Sequence, residues 1–362
     1  MYCSKCGAEV QEGINYCGKC GNKLIAYENS MQTGKNAEKG SKGKKRLPVI
    51  VAVAVVACVC ILVVALGLGN RDWSIEVNPD DNSCTILSYK GSEQELVIPE
   101  KIRKGLKSYE VTGIGNGAFM SCDSLQSVKI PDSVTSIGGS AFANCRNLQR
   151  VNIPDGVTSI EPSVFMFCIN LRKIEIPASV TSIGDNAFAG CDGLQSVTIP
   201  DGVTSIGYAA FENCDSLWDI EISDSVTSIG EAAFYSCESL VSIEVPDSVT
   251  SIGERAFCQC GNLKSVEMTD SVTSIGAGTF YECRSLESVE ISDGVTSIEA
   301  ETFYRCDNLE YVYIPDGVTS IGEKAFYGCS SLQVVVIPSS VSEISDDAFP
   351  GSTELCRLLG PR

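Results

Sequence analysis

The 362-residue chain contains no histidine. That absence removes the commonest general base, every imidazole metal ligand and any Ser–His or Cys–His catalytic pair. No nucleophile–base pair or phosphate-binding motif interrupts the periodic stretch that fills the chain after residue 110, so the sequence does not read as an enzyme. Positive charge is scarce there too: residues 70–362 hold 18 Lys/Arg against 42 Asp/Glu, a net of −24. An acidic body of this size repels nucleic acid and anionic membrane and favours basic proteins or cations. Residues 1–46 carry the opposite sign, 9 Lys/Arg against 4 Asp/Glu, a net of +5. Two signs in one chain imply two environments. One further absence is local, for Leu47 to Gly69 has no charged residue.

What is present is a unit of 23 residues, clean from Leu194 to Ser216 as LQSVTIPDGVTSIGYAAFENCDS. Eleven phenylalanines from Phe119 to Phe349 lie 23 apart, and of the 12 in the chain only Phe167 falls off this comb. Cysteine keeps the interval from Cys122 to Cys329, and leucine from Leu125 to Leu355. Self-similarity at this period marks a solenoid whose units bury apolar faces only against their neighbours. Within a unit, Leu194, Val197 and Ile199 are the inward positions of a short strand. Pro200 ends it, Asp201-Gly202 turns the chain, and Val203 and Ile206 begin a second extended segment. Ala210-Phe211 then leads back as a helical turn or an irregular crossing. Trp73 to Pro99 reads as a strand-rich cap over the open end, followed by the lysine-rich loop EKIRKGLKSYE. The later beats have no insertion, which predicts coils stacked in register. The expected fold is a β-rich repeat solenoid of about eleven coils over 111–362, behind a spacer, cap and first-coil loop at 70–110.

The pattern L-x-S-V-x-I-P-D-S/G-V-T-S-I-G-x-x-A-F-x-x-C resembles the BspA-like leucine-rich repeats of bacterial surface proteins, from Trp73 to about Leu355. The resemblance implies a surface-exposed array used in adhesion, and it carries no ligand residues across. The chain departs from the pattern at Pro162 and Phe167, and at Met268-Thr269, which replaces Ile-Pro. No distinct cap follows Leu355.

The 19 cysteines fall into groups. Cys3, Cys6, Cys17 and Cys20 form C-x2-C, ten residues, C-x2-C, with Gly7 and Gly21 after each pair. Two such knuckles make a closed tetrahedron of four thiolates for structural Zn2+. A pair of disulfides in an oxidising compartment, or iron, are the alternatives. Residues 1–24 are too few to build a core, so the metal would supply most of their folding free energy. The segment resembles the short zinc-ribbon domains at the start of many bacterial membrane proteins, which implies an interaction module without chemistry of its own. Residues 25–46 read as a basic flexible linker. Residues 47–69 read as one transmembrane helix, about 34 Å long at ~1.5 Å per residue against a ~30 Å hydrocarbon core. Lys42, Lys44, Lys45 and Arg46 place the ribbon in the cytoplasm and the repeats outside. A signal peptide cleaved near Ala65-Leu66-Gly67 competes, but the apolar run exceeds a signal h-region.

The cysteine column of the repeats reads as buried inert thiols, with disulfides as the alternative. Cys84, Cys258 and Cys356 break the period and are the candidates for reactivity. On the outward face of the strands one column holds Glu175, Glu221, Glu244, Glu267 and Glu290 and ends in Tyr313 and Val336, with Tyr311 and Val334 beside it. Stacked carboxylates repel, a cost that Ca2+ or a basic ligand would relieve; an acidic surface kept for solubility is the alternative. Exposed Tyr311, Tyr313, Val334 and Val336 together resemble a binding hot spot. The function expected is membrane-anchored extracellular binding, as adhesion or recognition of a protein or cell-envelope ligand. The alternative is a transmembrane sensor that relays binding through the ribbon to a cytoplasmic protein.

Overall fold

The computed structural model describes residues 72–357. Met1–Ala57 and Cys58–Arg362 separate as two units, and the zinc-ribbon segment, the linker and the apolar run at 47–69 lie outside the described residues. Two expectations need correction. Among the described residues no helix is long and apolar enough to cross a membrane. The stack has about twelve turns rather than eleven.

Among the described residues every element is a strand, because each repeat offers two short alternating segments punctuated by turn formers. Ser196–Ile199 buries Val197 and Ile199 and exposes Thr198. Ser205–Ile206 buries Ile206. Both pair in parallel with the equivalent residues one repeat later, Val197 with Ile220 and Ile206 with Ile229. An uninterrupted period keeps that register, since a slip of one residue would turn every inward side chain outward.

The return crossing takes the irregular form and not the helical one. Ala209, Phe211 and Asn213 donate backbone N–H bonds to Glu231, Ala233 and Tyr235 of the next turn. Glu212 and Cys214 instead bond three residues back within their own turn. This alternation puts Ala209 and Asn213 in the left-handed region, at φ 49° and 54°, which a helix would not allow.

The phenylalanines form one internal ladder. From Phe119 to Phe349 successive ring centroids lie 4.9 to 5.7 Å apart, with planes within 13° of parallel. The extra turn comes from the cap. There β1 (Trp73–Asn78) pairs antiparallel with β2 (Ser83–Tyr89). After β3 (Glu95–Val97) and β4 (Lys101–Lys104), β5 (Lys107–Ile114) pairs with β2 in parallel. Tyr89 then stands where a ladder phenylalanine would, 5.4 Å from Phe119, and Trp73 covers it at 4.7 Å. The lysine-rich loop is the β4–β5 hairpin. Because it shifts the count, Tyr89 is off the 23-residue comb and the sequence hides the added turn.

The second strand column shows what a single side chain can do. Gly138, Gly184, Gly207, Gly230, Gly253, Gly276 and Gly322 each donate a backbone bond to the isoleucine of the preceding turn. A Cβ on Gly253 would lie 2.4 Å from the Glu231 nitrogen, so close an approach requires glycine. Glu161 and Glu299 occupy the same column, and among the described residues the sheet breaks at both: Ser136–Ile137 and Ser159–Ile160 belong to different sheets, as do Ser274–Ile275 and Ser297–Ile298. Each glutamate instead accepts a bond from the serine two residues before it, at 2.6 Å. Gly253→Glu is therefore expected to split the six-stranded sheet that runs from Ser159–Ile160 to Ser274–Ile275 and cost about 1–3 kcal/mol through crowding. Urea denaturation and amide exchange at residue 253 test this; an unchanged midpoint with a protected amide would contradict it.

Candidate ligand-binding surface

The longer strands present an exposed face built from separate short sheets, among them Ser196–Ile199 with Asp219–Ile222, Ser242–Glu244 with Ser265–Glu267, Ser288–Glu290 with Tyr311–Tyr313, and Val334–Ile337 with Glu354–Arg357. Glu244 pairs with Glu267 and Glu290 with Tyr313, so the acidic column predicted from Glu221, Glu244, Glu267 and Glu290 exists as a row of neighbours, all exposed. Tyr311 and Tyr313 lie on Tyr311–Tyr313, and Val334 and Val336 on Val334–Ile337. Their exposures run from 44% to 56%, so this end of the face is apolar and open. Glu175, at the other end, holds Lys173 at 3.2 Å with both side chains in solvent, a contact worth little in stability.

Sequence reasoning missed two members of the face. Trp218 is 57% exposed, and Val241, one turn later in the same column, is 45% exposed. They stand just ahead of the strands Asp219–Ile222 and Ser242–Glu244. The signal was available, since tryptophan replaces the Gln149 and Gln195 of its column. The face thus has an ordered polarity. Lys129, Arg150, Arg172 and Lys173 lie on the early turns, carboxylates flanked by Trp218 and Val241 in the middle, and a bare apolar patch on the late turns.

The cysteine column is a second ladder. From Cys145 to Cys329 each thiol donates to the carbonyl of the phenylalanine 26 residues earlier, at 3.0 to 3.3 Å. All the described cysteines are free. Parallel side chains one turn apart aim at carbonyl oxygens and not at one another. Burial pushes Cys145 and Cys260 up to about 12 and Cys191, Cys214 and Cys237 well above the ordinary thiol value. Of the three off-period cysteines, Cys84 and Cys258 are buried and raised as well, so only Cys356 is exposed. Among the described residues no group of three or more thiols or carboxylates could hold a metal ion, which leaves the Ca2+ reading without support. Cys3, Cys6, Cys17 and Cys20 lie outside the described residues.

Parallel 23-residue turns around internal phenylalanine and cysteine ladders, with one strand face left open, define a leucine-rich-repeat β-solenoid, a scaffold typical of binding proteins and not of enzymes. The profile of the BspA type Leucine rich repeat region matches six copies, over residues 112–241, 158–280 and 227–356. The chain belongs to that family. A zinc-ribbon domain matches residues 2–24. The solenoid is similar to a leucine rich cell surface protein from Faecalibacterium prausnitzii, at 35% identity and TM-score 0.52, over 79% of this chain and 92% of that one. It is also similar to a leucine-rich repeat protein from Bacteroides ovatus, at 28% identity and TM-score 0.54, over 79% and 89%. No match was found among curated proteins.

Proposed function

We propose that this protein acts at a bacterial surface and that its strand face binds an extended, basic segment of a protein partner. The Faecalibacterium relative, a cell surface protein, supports the location. The observation that carries the ligand class is the order of side chains on the face. Four glutamates are stacked one turn apart: Glu221 and Glu244 share their turns with Trp218 and Val241, and Glu267 and Glu290 lead on to the Tyr311, Tyr313, Val334, Val336 patch. Stacked carboxylates raise each other's energy, and cationic side chains laid along them relieve it. Apolar clusters beside the row and at its far end supply anchors, since exposed aromatic residues dominate binding energies at interfaces. Trp218 reports directly, as a ligand laid over it changes its fluorescence. A short synthetic peptide of lysines flanked by leucines is expected to bind, and Trp218→Ala or Tyr313→Ala to weaken it by about 2 kcal/mol, roughly 30-fold. Equal binding of a peptide with glutamates in place of the lysines would sink the proposal.

The zinc ribbon is read as a structural module in which Cys3, Cys6, Cys17 and Cys20 hold one Zn2+ as thiolates. The family match over residues 2–24 supports this. Metal analysis is expected to find one zinc per chain and none in Cys17→Ser; a metal-free full-length protein would exclude it.

A further inference from the structure

In each return crossing, the residue after the ladder phenylalanine forms a column of its own. On the later turns it reads Tyr235, Cys258, Tyr281, Tyr304 and Tyr327. Tyr281 stacks on Tyr304 at 4.6 Å and 7°, and Tyr304 on Tyr327 at 5.5 Å and 12°. The column is an external aromatic ladder with one rung replaced by a thiol. At that rung a cavity of about 240 Å³ opens, lined by Tyr235, Arg255, Cys258, Gln259, Tyr281 and Glu301.

The spacing fits one ring. The phenylalanine ladder rises 5.4 Å from Phe234 to Phe257 and 5.7 Å from Phe257 to Phe280. Tyr235 and Tyr281 therefore stand on turns two steps apart, and a flat ring at the Cys258 level would stack on both at the separations seen between Tyr281, Tyr304 and Tyr327. Aromatic rings favour such offset stacks at ~4.5–7 Å. Cys258 lines the cavity and is itself 3% exposed. The rim offers the Arg255 guanidinium as a donor and the Glu301 carboxylate as an acceptor, both suited to a ring hydroxyl.

We propose that this slot binds a phenolic ring, which completes the tyrosine ladder between Tyr235 and Tyr281. The site is separate from the strand face and independent of its function. Nothing covalent is required.

Saturation-transfer NMR on the full-length chain tests it, with p-cresol as the free phenol and a capped Gly-Tyr-Gly peptide as the polypeptide source. Transfer to the ring protons is expected for at least one probe. Cys258→Tyr fills the slot, in a column that already accepts tyrosine at Tyr281, Tyr304 and Tyr327, so it should fold with an unchanged urea midpoint and reduce transfer at least tenfold. Tyr281→Ala removes one stacking face and is expected to weaken binding by about 2- to 12-fold. A peptide that binds tenfold more tightly than p-cresol assigns the slot to a partner's tyrosine; equal or weaker peptide binding assigns it to a free phenol. Transfer that persists unchanged in Cys258→Tyr, or no transfer to either probe at about 10 mM, overturns the proposal.

Discussion

Replacing Phe211 by alanine is expected to lower the stability of the solenoid by about 3–5 kcal/mol, the range for emptying a fully buried phenylalanine site. Phe211 is inaccessible to solvent and stacks on Phe188 at 5.2 Å and on Phe234 at 5.5 Å. In a globular core, neighbours on several sides can relax into such a gap. Here the turns above and below are held in register by strand pairing, Val197 to Ile220 and Ile206 to Ile229, so collapse along the stack would break those ladders. A repeat array also concentrates the damage. Its stability is a sum of turns and nearest-neighbour interfaces, and this substitution weakens the two interfaces that join the halves. Urea denaturation followed by circular dichroism should therefore show a lower midpoint and a split transition. Phe167 is the control: 45% exposed and off the ladder, it should cost no more than about 1 kcal/mol as alanine. Equal losses from the two substitutions would mean that the ladder is not what joins the turns.

Raising the pH is expected to unfold the array over a narrow range above about 9. Cys145, Cys168, Cys191, Cys214, Cys237, Cys260, Cys283 and Cys306 are all fully buried, and burial pushes each thiol up, to about 12 for Cys145 and Cys260 and well above the ordinary value for the rest. The sign follows from which state holds the proton. In the unfolded chain these thiols ionise near ~8.5, while in the folded chain they stay neutral. Below that value both states are protonated and the thiols leave stability unchanged. Above it the unfolded chain has lost protons that the folded chain keeps, so stability falls by about 1.4 kcal/mol per pH unit per thiol. Eight together give roughly 11 kcal/mol per pH unit, comparable with the ~5–15 kcal/mol stability of a typical protein. Denaturation under reducing conditions at pH 7, 9 and 10 measures the slope. Cys214→Ala with Cys237→Ala should reduce it by about 2.7 kcal/mol per pH unit. A stability unchanged between pH 8 and 10 would rule the effect out.

Much of this architecture was legible as periodicity. Apolar residues at fixed offsets can be buried in only one way when 23-residue units stack, so Phe211, Cys214 and Leu217 announced the interior and Thr198 the outside. The column of Glu221, Glu244, Glu267 and Glu290 followed from the same alternation. What escaped notice depended on contacts between units. The chemical reading of Cys258 suggested reactivity, and its burial, which raises the thiol, removed it. Trp218 was not singled out in the sequence, and its exposure beside Val241 made it part of a surface.

The sequence by itself determined the period, the identity of the eleven phenylalanine rungs and the acidic charge of the face, because each of these is a property of one residue position repeated. The tertiary structure alone decided the twelfth turn, where Tyr89 takes a ladder place that the β4–β5 hairpin had moved off the comb. It also decided the sheet breaks at Glu161 and Glu299 and the gap in the tyrosine ladder at Cys258. These three depend on how closely one turn approaches the next, about 5 Å between stacked rings, and a single added or missing side chain changes what that distance admits.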